Sequence, residues 1–209
     1  NHPYLIGGDL FIWNGKVILW GLMNCHRDNN VNPLVPVGKS YPPCVSDVYL
    51  QAIKDTLQNM IDKLCIKSGA MNVELIVDHR GRVFPRNGGN MIPDLLGYIF
   101  GINVVEMTIK AAMGELPILN ISDPKPYYAT HNLHSTKNGI YDHIEYSPEI
   151  EPYIIRKCEY KKCGDEIEYF DNASKALGIV FLKFNSEKQM IKVLDNATSL
   201  YKVMLKEEL

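Results

Sequence analysis

One stretch, residues 69–101, constrains the fold more tightly than any other part of this chain. Its apolar residues predict a strand over 72–77, a tight turn over 78–81 and a second strand that begins at Arg82. A loop broken by glycines follows, and a helix is predicted to open near Pro93, a residue suited to a first helical turn. The sequence therefore predicts an antiparallel hairpin that leads through a loop into a helix.

Two parts of this unit carry groups that can bind ligands. Glu74 lies in an otherwise apolar strand, where a carboxylate has to be paired, protonated or bound to a metal ion. Arg86 and the turn Gly88-Gly89-Asn90 bring a cation and backbone N–H groups to the front of a helix, a geometry that receives phosphate or carboxylate. The unit therefore combines an acid, a cation and a loop that can receive an anion.

These residues resemble a known family. The run GAMNVELIVDHRGRV, the loop PRNGGN and the later run INVVEMTIKAAMGE look like the C-terminal half of the ATP-grasp fold, as in biotin carboxylase and the carbamoyl-phosphate synthase large subunit. The motifs are specific in this order, and the resemblance is close over the first part of the chain and loose over the remainder. It implies an α+β fold, in which an antiparallel sheet with helices on one face precedes a small β-rich α/β subdomain.

The resemblance also implies roles for individual residues. Glu74 corresponds to the strand glutamate that binds magnesium, and Ile76 to a residue that packs against adenine. Arg86 would contact phosphate or an acyl-phosphate intermediate, and Asn90 would join it as a catalytic residue that stabilises the anion. The loop residues expected to bind the nucleotide are Asn87, Gly88 and Gly89.

The function that the resemblance implies is ATP-dependent ligation, with ATP and Mg²⁺ as cofactors. A small-molecule carboxylate attacks the γ-phosphate, and the acyl phosphate is then captured by an amine or a thiol. Family members also carry an N-terminal half with the lysines that clamp ATP. We therefore expect this chain to act with such a half, in cis or as a separate subunit, and to be inactive alone. A homodimer is compatible with this expectation.

The chain departs from the family directly before the arginine. The family pattern places a second acid and an asparagine ahead of Pro-Arg, whereas Phe84 here runs into Pro85 and Arg86. Either the protein has lost its second metal ligand, or a few residues are missing from the sequence at this junction. A strand from Arg82 to Phe84 would also be too short to pair with the whole Glu74 strand. A non-catalytic nucleotide-binding or interaction module therefore remains as a second hypothesis.

The residues before this unit predict a hairpin, a loop and a helix. Asn14-Gly15 is a strong hairpin signal between two strands that are rich in β-branched and aromatic residues. The polar run after Gly21 predicts a loop, in which His26 and Arg27 either are solvated or contact substrate. Ser46 can cap the next helix, whose apolar residues recur at helical spacing and which leads to the hairpin unit.

A second region begins near Pro117, so we expect two domains, residues 1–116 and 117–209. Short strand-like runs and a final amphipathic helix predict a small β-rich α/β subdomain. His131 and His134 stand three residues apart, and on a strand such residues face opposite sides. We therefore expect no shared metal ion there.

Composition excludes several classes of function. The 209 residues carry a net charge of −2, which argues against nucleic-acid binding as the main role. No apolar run reaches the ~20 residues that span a bilayer, so we expect a soluble protein without a membrane partner. The five cysteines form an odd set without a CxxC pair, which favours reduced thiols in a cytoplasmic protein over disulfides or a zinc site.

Tryptic peptide mapping can test the junction before Pro85. Because the family pattern requires a second acid there, we expect a peptide longer than Val83-Phe84-Pro85-Arg86, with an acid and an asparagine ahead of Pro-Arg. Mass spectrometry of the digest distinguishes the two peptides. Detection of the short peptide would instead show that the second metal ligand is absent, and it would favour the non-catalytic module.

Overall fold

The computed structural model describes residues 5–76, 80–84, 89–117 and 120–206. Within these ranges the chain forms strands and helices in mixed order. The strands are Leu5–Trp13 (β1), Lys16–Arg27 (β2), Pro36–Tyr41 (β3), Gly69–Ile76 (β4), Arg80–Phe84 (β5), Tyr128–Leu133 (β6), Gly139–Tyr146 (β7), Ile154–Glu159 (β8), Glu166–Ile167 (β9), Gly178–Lys183 (β10) and Tyr201–Leu205 (β11). The α-helices are Asp47–Lys63 (α1), Ile92–Phe100 (α2), Val104–Ala112 (α3) and Glu187–Leu194 (α4).

The chain divides into two compact units that are not contiguous in sequence. The first contains the described residues of 1–24 and 41–126, and the second those of 25–40 and 127–209. Residues 25–40 belong to the second unit because β3 pairs with β6, where the Lys39 backbone N–H also donates to Thr130 Oγ1 at 3.3 Å. The predicted division into residues 1–116 and 117–209 does not coincide with these units and stays a prediction about domains.

In the first unit the strands lie in the order β5-β4-β1-β2, and neighbouring strands are antiparallel. The hairpin predicted at Asn14-Gly15 is confirmed, and both residues adopt a positive φ, 49° and 77°, as a tight two-residue turn requires. Gln58 of α1 holds this turn. Its Nε2 donates to the Gly15 carbonyl at 2.8 Å, and its Oε1 accepts from the Val17 N–H at 3.1 Å.

The predicted hairpin around Glu74 is also confirmed, although both of its strands begin earlier than predicted. Five residue pairs join β4 and β5, from Asn72 opposite Phe84 to Ile76 opposite Arg80. The expectation of a three-residue partner strand is therefore wrong, because residues assigned to the turn belong to β5. The pairing gives no reason to infer missing residues at the junction.

Helix α1 covers one face of this sheet. Ser46 caps its N-terminus, as predicted, by accepting a hydrogen bond from the backbone of the first turn. Leu57 and Ile61 of α1 are buried in a cluster with apolar residues of the strands. These partners are Ile6, Leu10, Ile12, Leu22, Met71 and Val73.

Helix α2 contacts the other face. Gly21 precedes Leu22 of the α1 cluster, and successive residues of a strand point to opposite faces. A methyl group at Gly21 would meet the two Cδ atoms of Leu96 in α2 at 2.8 and 2.9 Å, so glycine permits this close approach. Helices therefore lie on both faces of this sheet, and the predicted α+β class with antiparallel strands is confirmed.

Helix α2 follows the loop as predicted, and α3 follows α2. Asn103 caps α3 by accepting the Glu106 N–H at 3.0 Å. The Glu106 carboxylate forms a salt bridge with Lys110 at 2.8 Å, one turn further along α3, and this pair stabilises the helix. Within the described ranges no single helix is long and apolar enough to cross a membrane, and α2 and α3 meet that test only as a pair bent by 107°.

The second unit contains two sheets and α4. β3, β6, β10 and β8 lie in that order in one sheet, and β11, β7 and β9 in the other. The sequence predicts strands over 127–134, 153–160, 167–170 and 179–184 and a final helix. These match β6, β8, β10 and α4 and overlap β9 only at Ile167, whereas β3, β7 and β11 were not predicted. The core joins apolar side chains of these elements, among them Ala129, Leu133, Val180, Leu182, Met190 and Tyr201.

The predicted loop that holds His26 and Arg27 is wrong, because β2 continues to Arg27. The polar side chains that suggested a loop have partners inside the fold. Asn24 Oδ1 accepts from the Cys44 N–H at 2.7 Å, and His26 Nε2 lies 2.8 Å from Ser40 Oγ. Polarity alone cannot reveal such partners, since they come from distant parts of the chain.

A buried polar network holds the segment after β2 in the second unit. Asp28 is 7% exposed and accepts from His134 Nε2 at 3.2 Å, Thr198 Oγ1 at 3.0 Å and the Asn30 N–H at 2.9 Å. Burial would raise the pKa of Asp28, but hydrogen bonds from Asn30, Thr198 and His134 outweigh it and hold the pKa below its ordinary value. The network therefore stabilises the charged carboxylate.

A matched pair of leucine variants tests the core beneath α1. Leu57 is 2% exposed, so Leu57→Ala should lower the free energy of unfolding by ~2–5 kcal/mol through lost burial and a cavity. Leu64, at the end of the same helix, is 62% exposed, and Leu64→Ala should change it by less than ~0.5 kcal/mol. Urea unfolding measures both, and equal losses would contradict this packing.

The Asp28 network predicts a pH-dependent contribution to stability. Asp28→Asn should lower the free energy of unfolding at neutral pH by ~1–3 kcal/mol, because the buried donors lose a charged acceptor. The folded-state pKa lies below the ordinary 3.8, so this stabilisation is present above pH 3.8 and fades as the pH falls through the folded-state pKa. Urea unfolding at several pH values should therefore show the two proteins converging in acid.

The exposed Asp195 provides the control for this experiment. Asp195→Asn should leave the free energy of unfolding close to that of the wild type at every pH. A difference between Asp28→Asn and the wild type that stays constant through the acid range would contradict the role given to the charged carboxylate.

Candidate functional site

Glu74 occupies the middle of β4 in the first unit, as predicted. It is half-buried and lies opposite Gly7 of β1 and Arg82 of β5. Alternate residues of a strand share a face, so Glu74 lies on the same face as Asn72. Gly7 places no side chain beside the carboxylate. The strand position of Glu74 is therefore established, and its role as a metal ligand stays a prediction.

A second acid of this face escaped the sequence analysis. Asp9 of β1 is fully buried, and its Oδ1 accepts from Asn72 Nδ2 at 2.9 Å, while the same amide lies 3.2 Å from the Gly8 carbonyl. Like Glu74, Asp9 is an acid within an apolar strand, and that signal could have identified it. The Asn72 amide holds the Asp9 carboxylate, which lies on the same face as Glu74 and two positions further along the pairing of β1 with β4.

The predicted anion-binding loop is described only in part. Arg86, Asn87 and Gly88 lie outside the described residues, as does the side chain of Ile76. Gly89 is exposed, and its carbonyl accepts the N–H of Ile92 at 3.2 Å.

Asn90 lies just ahead of α2. It is half-buried with a φ of 53°, and Met91 at the helix N-cap has the same φ. The loop therefore enters the helix through two successive left-handed residues, and it leads into the helix N-terminus as predicted. Anion binding at this loop stays a prediction.

The first unit does not build a complete magnesium site from its described side chains. Among residues 5–75, 89–117 and 120–206, no three His, Cys, Asp or Glu side chains come together as metal ligands. Magnesium prefers octahedral oxygen coordination and keeps several waters, so Glu74 could contribute one ligand. Its other protein or phosphate ligands would have to come from elsewhere.

The second unit places His26 and Arg27 in the wall of a cavity of about 730 Å³. Both residues lie at the end of β2, and Thr130 and His131 of β6 contribute to the same wall. The structure thus brings the two predicted substrate residues together in one concave site. No local sequence pattern indicates Thr130 or a role for His131, because the pairing that brings β6 to this cavity joins distant parts of the chain.

The two histidines of this wall are uncharged at neutral pH. Burial, aided by the positive charges of Lys39 and Arg27, lowers the pKa of His26 to about 4. Burial also lowers the pKa of His131 to about 3, with help from His134 and His26 and against the opposing charge of Asp28.

The sequence argued against a metal ion shared by His131 and His134 because residues three apart on a strand face opposite sides. The structure gives a different reason. β6 ends at Leu133, and the two rings lie with their centroids 5.7 Å apart. His134 nevertheless has both ring nitrogens engaged, by the Asn132 carbonyl at 2.8 Å and by Asp28 at 3.2 Å. His134 is therefore committed to the polar network of the second unit.

Lys39 adds a buried cation close to the end of β2. It is 8% exposed, and its Nζ donates to Cys25 Sγ at 2.6 Å. The thiol sulfur therefore accepts a hydrogen bond from this buried ammonium group. Neither residue received a role from the sequence, because a lysine and a cysteine fourteen positions apart form no motif.

Comparisons with known proteins identify solved structures that have a similar fold. No protein-family model and no curated protein matched the sequence. Among solved structures, phosphoribosylglycinamide synthetase from Anaerococcus prevotii matches 99% of this chain and 54% of its own, at 24% identity and a TM-score of 0.76. L-amino acid ligase from Bacillus licheniformis matches 98% of this chain and 55% of its own, at 14% identity and a TM-score of 0.81.

The biotin carboxylase domain of 2-oxoglutarate carboxylase from Hydrogenobacter thermophilus is also similar, at 14% identity and a TM-score of 0.67, over 97% of this chain and 46% of that one. That structure was determined with MgADP, ADP and bicarbonate. The chain spans about half the length of the solved structures it matches. These identities are low and the similarity is one of fold. The chain has part of the ATP-grasp fold, as the motifs between residues 69 and 101 predicted.

Proposed function

We propose that this chain is the C-terminal part of an ATP-dependent ligase that joins a carboxylate to an amine. The observation that carries the proposal is the likeness of nearly the whole chain to about half of a phosphoribosylglycinamide synthetase and of an L-amino acid ligase. In the proposed reaction a carboxylate oxygen attacks the γ-phosphorus of ATP and ADP leaves. The amine nitrogen then attacks the acyl carbon, and phosphate leaves. A thiol in place of the amine would give a thioester by the same steps.

The proposed roles within the chain follow from position. Glu74 would provide a magnesium ligand from β4, and its half-buried place beside the side-chain-free Gly7 supports this role. Gly89 and Asn90 would present backbone N–H groups to phosphate, which is supported by their place directly ahead of α2. Arg86 would add a charge-assisted contact to the transferred phosphoryl or acyl phosphate. The remaining nucleotide contacts would come from Ile76, Asn87 and Gly88.

Magnesium enters the proposal through the MgADP of the H. thermophilus structure. Bound there, the ion would neutralise phosphate charge. The described residues do not complete its site, so no step of the reaction is assigned to it. We propose that the missing groups belong to a further half of the enzyme, in the same chain or in a partner subunit, and that this chain alone does not turn over.

Two further proposals concern the setting of the enzyme. All five cysteines are free, which supports a reducing compartment such as the cytoplasm. A homodimer is proposed as one assembly of the complete ligase.

A non-catalytic nucleotide-binding or interaction module is the second candidate function. The specific observation in its favour is the sequence ahead of Pro85, where the family's second acid is absent. The five-residue pairing of β4 with β5 supports it, because a short partner strand is compatible with a closed hairpin. Such a module would bind nucleotide without a requirement for magnesium.

The ligase proposal predicts magnesium-dependent nucleotide binding through Glu74. Isothermal titration of the purified chain with ATP should show tighter binding with Mg²⁺ than with EDTA. Glu74→Gln should weaken the binding of MgATP by about tenfold or more, because an amide is a poor replacement for an anionic ligand. Glu106→Gln is the matched control, since Glu106 pairs with Lys110 on α3, and it should leave the affinity unchanged.

The outcomes separate the two candidates. ATP binding that is equal with Mg²⁺ and with EDTA, and equal for wild type and Glu74→Gln, would contradict the ligase and favour the module. Steady phosphate release by the wild-type chain alone would contradict the proposed need for a further half.

A further inference from the structure

A lysine and a cysteine form a buried pair in the second unit. Lys39 on β3 and Cys25 near the end of β2 are each 8% exposed, and Lys39 Nζ lies 2.6 Å from Cys25 Sγ. Both residues belong to the second unit, whereas Glu74, Gly89 and Asn90 belong to the first. The pair is therefore separate from the residues proposed to hold ATP and magnesium.

The surroundings of Lys39 are unusual for a buried charge. An ammonium group has three N–H donors, and a lysine that is removed from water is ordinarily paired with a carboxylate. Among the described residues, the Cys25 sulfur is the one hydrogen-bond partner of Lys39 Nζ, and sulfur is a weak acceptor. A buried charge without an ionic partner is destabilising, so the folded chain retains this pair at a cost.

The distance between the two atoms is short for a hydrogen bond. N–H···O bonds measure ~2.7–3.2 Å, and an N–H···S bond is ordinarily longer because sulfur is the larger atom. The 2.6 Å from Lys39 Nζ to Cys25 Sγ lies below that range. Two single bonds that meet at one bridging oxygen atom span about this separation, whereas a direct nitrogen–sulfur bond is much shorter. An oxygen atom could therefore join the two side chains while both stay in place.

We propose that Lys39 and Cys25 form a modification site, at which hydrogen peroxide creates a covalent Sγ–O–Nζ cross-link. Thiols are oxidised by peroxide in steps, and the first product is a sulfenic acid. A sulfenic acid is known to condense with a neighbouring nitrogen or thiol, so a group held against the sulfur decides its fate. Lys39 Nζ is such a group, and the fold places it in contact with the sulfur before any oxidation occurs.

Two molecules of peroxide balance the reaction. The first gives one oxygen atom to the Cys25 thiol, which becomes a sulfenic acid, and one water leaves. The Lys39 ammonium gives a proton to water. The second peroxide then oxidises the amine as an N–O bond forms to the sulfenic oxygen. The sulfenic O–H bond and one N–H bond break, and two waters leave. Sulfur and nitrogen each lose two electrons, and both peroxides are reduced to water.

The cross-link would change the charge and the mobility of the chain at the end of β2. It replaces the Lys39 ammonium with an uncharged group, and the positive charge of Lys39 is one cause of the lowered pKa of His26. It also ties Cys25, the neighbour of His26, to β3. Peroxide would thus alter the wall of the second-unit cavity that His26 lines. This chemistry does not depend on the proposed ligase activity.

Peptide mapping of the folded chain tests the cross-link. The protein is treated with a small excess of hydrogen peroxide, remaining thiols are blocked with iodoacetamide, and a tryptic digest is analysed by mass spectrometry. Trypsin should no longer cleave after Lys39, because that side chain is modified. We expect residues 17–27 to be joined to residues 28–54, with a gain of one oxygen atom and a loss of two hydrogen atoms. Dithiothreitol added before trypsin should restore the separate peptides 17–27, 28–39 and 40–54.

Four variants locate the cross-link. Cys25→Ser and Lys39→Arg should each abolish the joined peptide, and Lys39→Arg keeps a positive charge beside the thiol. Cys44→Ser and Lys137→Arg are the matched controls, and both should cross-link as the wild type does. Cys44 lies in the peptide that follows Lys39, so its replacement also excludes a disulfide as the source of the joined peptide. Lys137 is an exposed lysine of the same unit.

Several results would overturn the proposal. One is a wild-type digest in which peptides 28–39 and 40–54 stay separate while Cys25 becomes a sulfinic or sulfonic acid. A disulfide between Cys25 and Cys44, or joined peptides that lose two hydrogen atoms without gaining oxygen, would also refute the bridging oxygen. Equal cross-linking in urea would show that the native contact is not needed. A failure of Glu74-dependent MgATP binding would leave these results unaffected, so the two proposals fail separately.

Discussion

The first unit depends on the pairing of β1 on both of its edges. β1 bonds to β2 on one side and to β4 on the other, and seven consecutive residues between its ends are buried. A strand that is covered on both faces does not alternate between polar and apolar residues. The seven buried residues of β1, IGGDLFI, accordingly contain a single charged residue, Asp9. Gly8 shows how tightly its edge is packed, because a Cβ there would lie 1.9 Å from the Gly21 carbonyl oxygen. Without β1, the strand that carries Glu74 would have no place in the sheet.

The two units use buried polarity in different ways. In the first unit Asn72 donates to the buried Asp9 carboxylate on the sheet face that also carries the half-buried Glu74. In the second unit the carboxylate of Asp28 is committed to three donors, while the Nε2 of His131 is left without a partner in the described part of the chain.

The chain shares its fold with about half of each of three longer solved structures. The matched structures are about twice as long, so the ATP-grasp fold seen here corresponds to a part of each. The strand position of Glu74 agrees with the prediction, and its role as a metal ligand stays a prediction. Specificity is instead a property of loops and cavities that differ between members of one fold.

The amino-acid sequence by itself determined the local elements and the family of folds. The Asn14-Gly15 turn, the Ser46 cap and the hairpin around Glu74 depend on backbone conformation and on neighbours close in sequence, and these were predicted correctly. Only the tertiary structure decided that β2 runs on to His26 and Arg27, that β3 pairs with β6, and that Asp28, His131 and Thr198 meet around one cavity. The physical reason is that a run of polar residues predicts a loop from sequence alone. In the folded chain such residues can lie in a strand when distant residues form hydrogen bonds with them, and those partners come together only on folding.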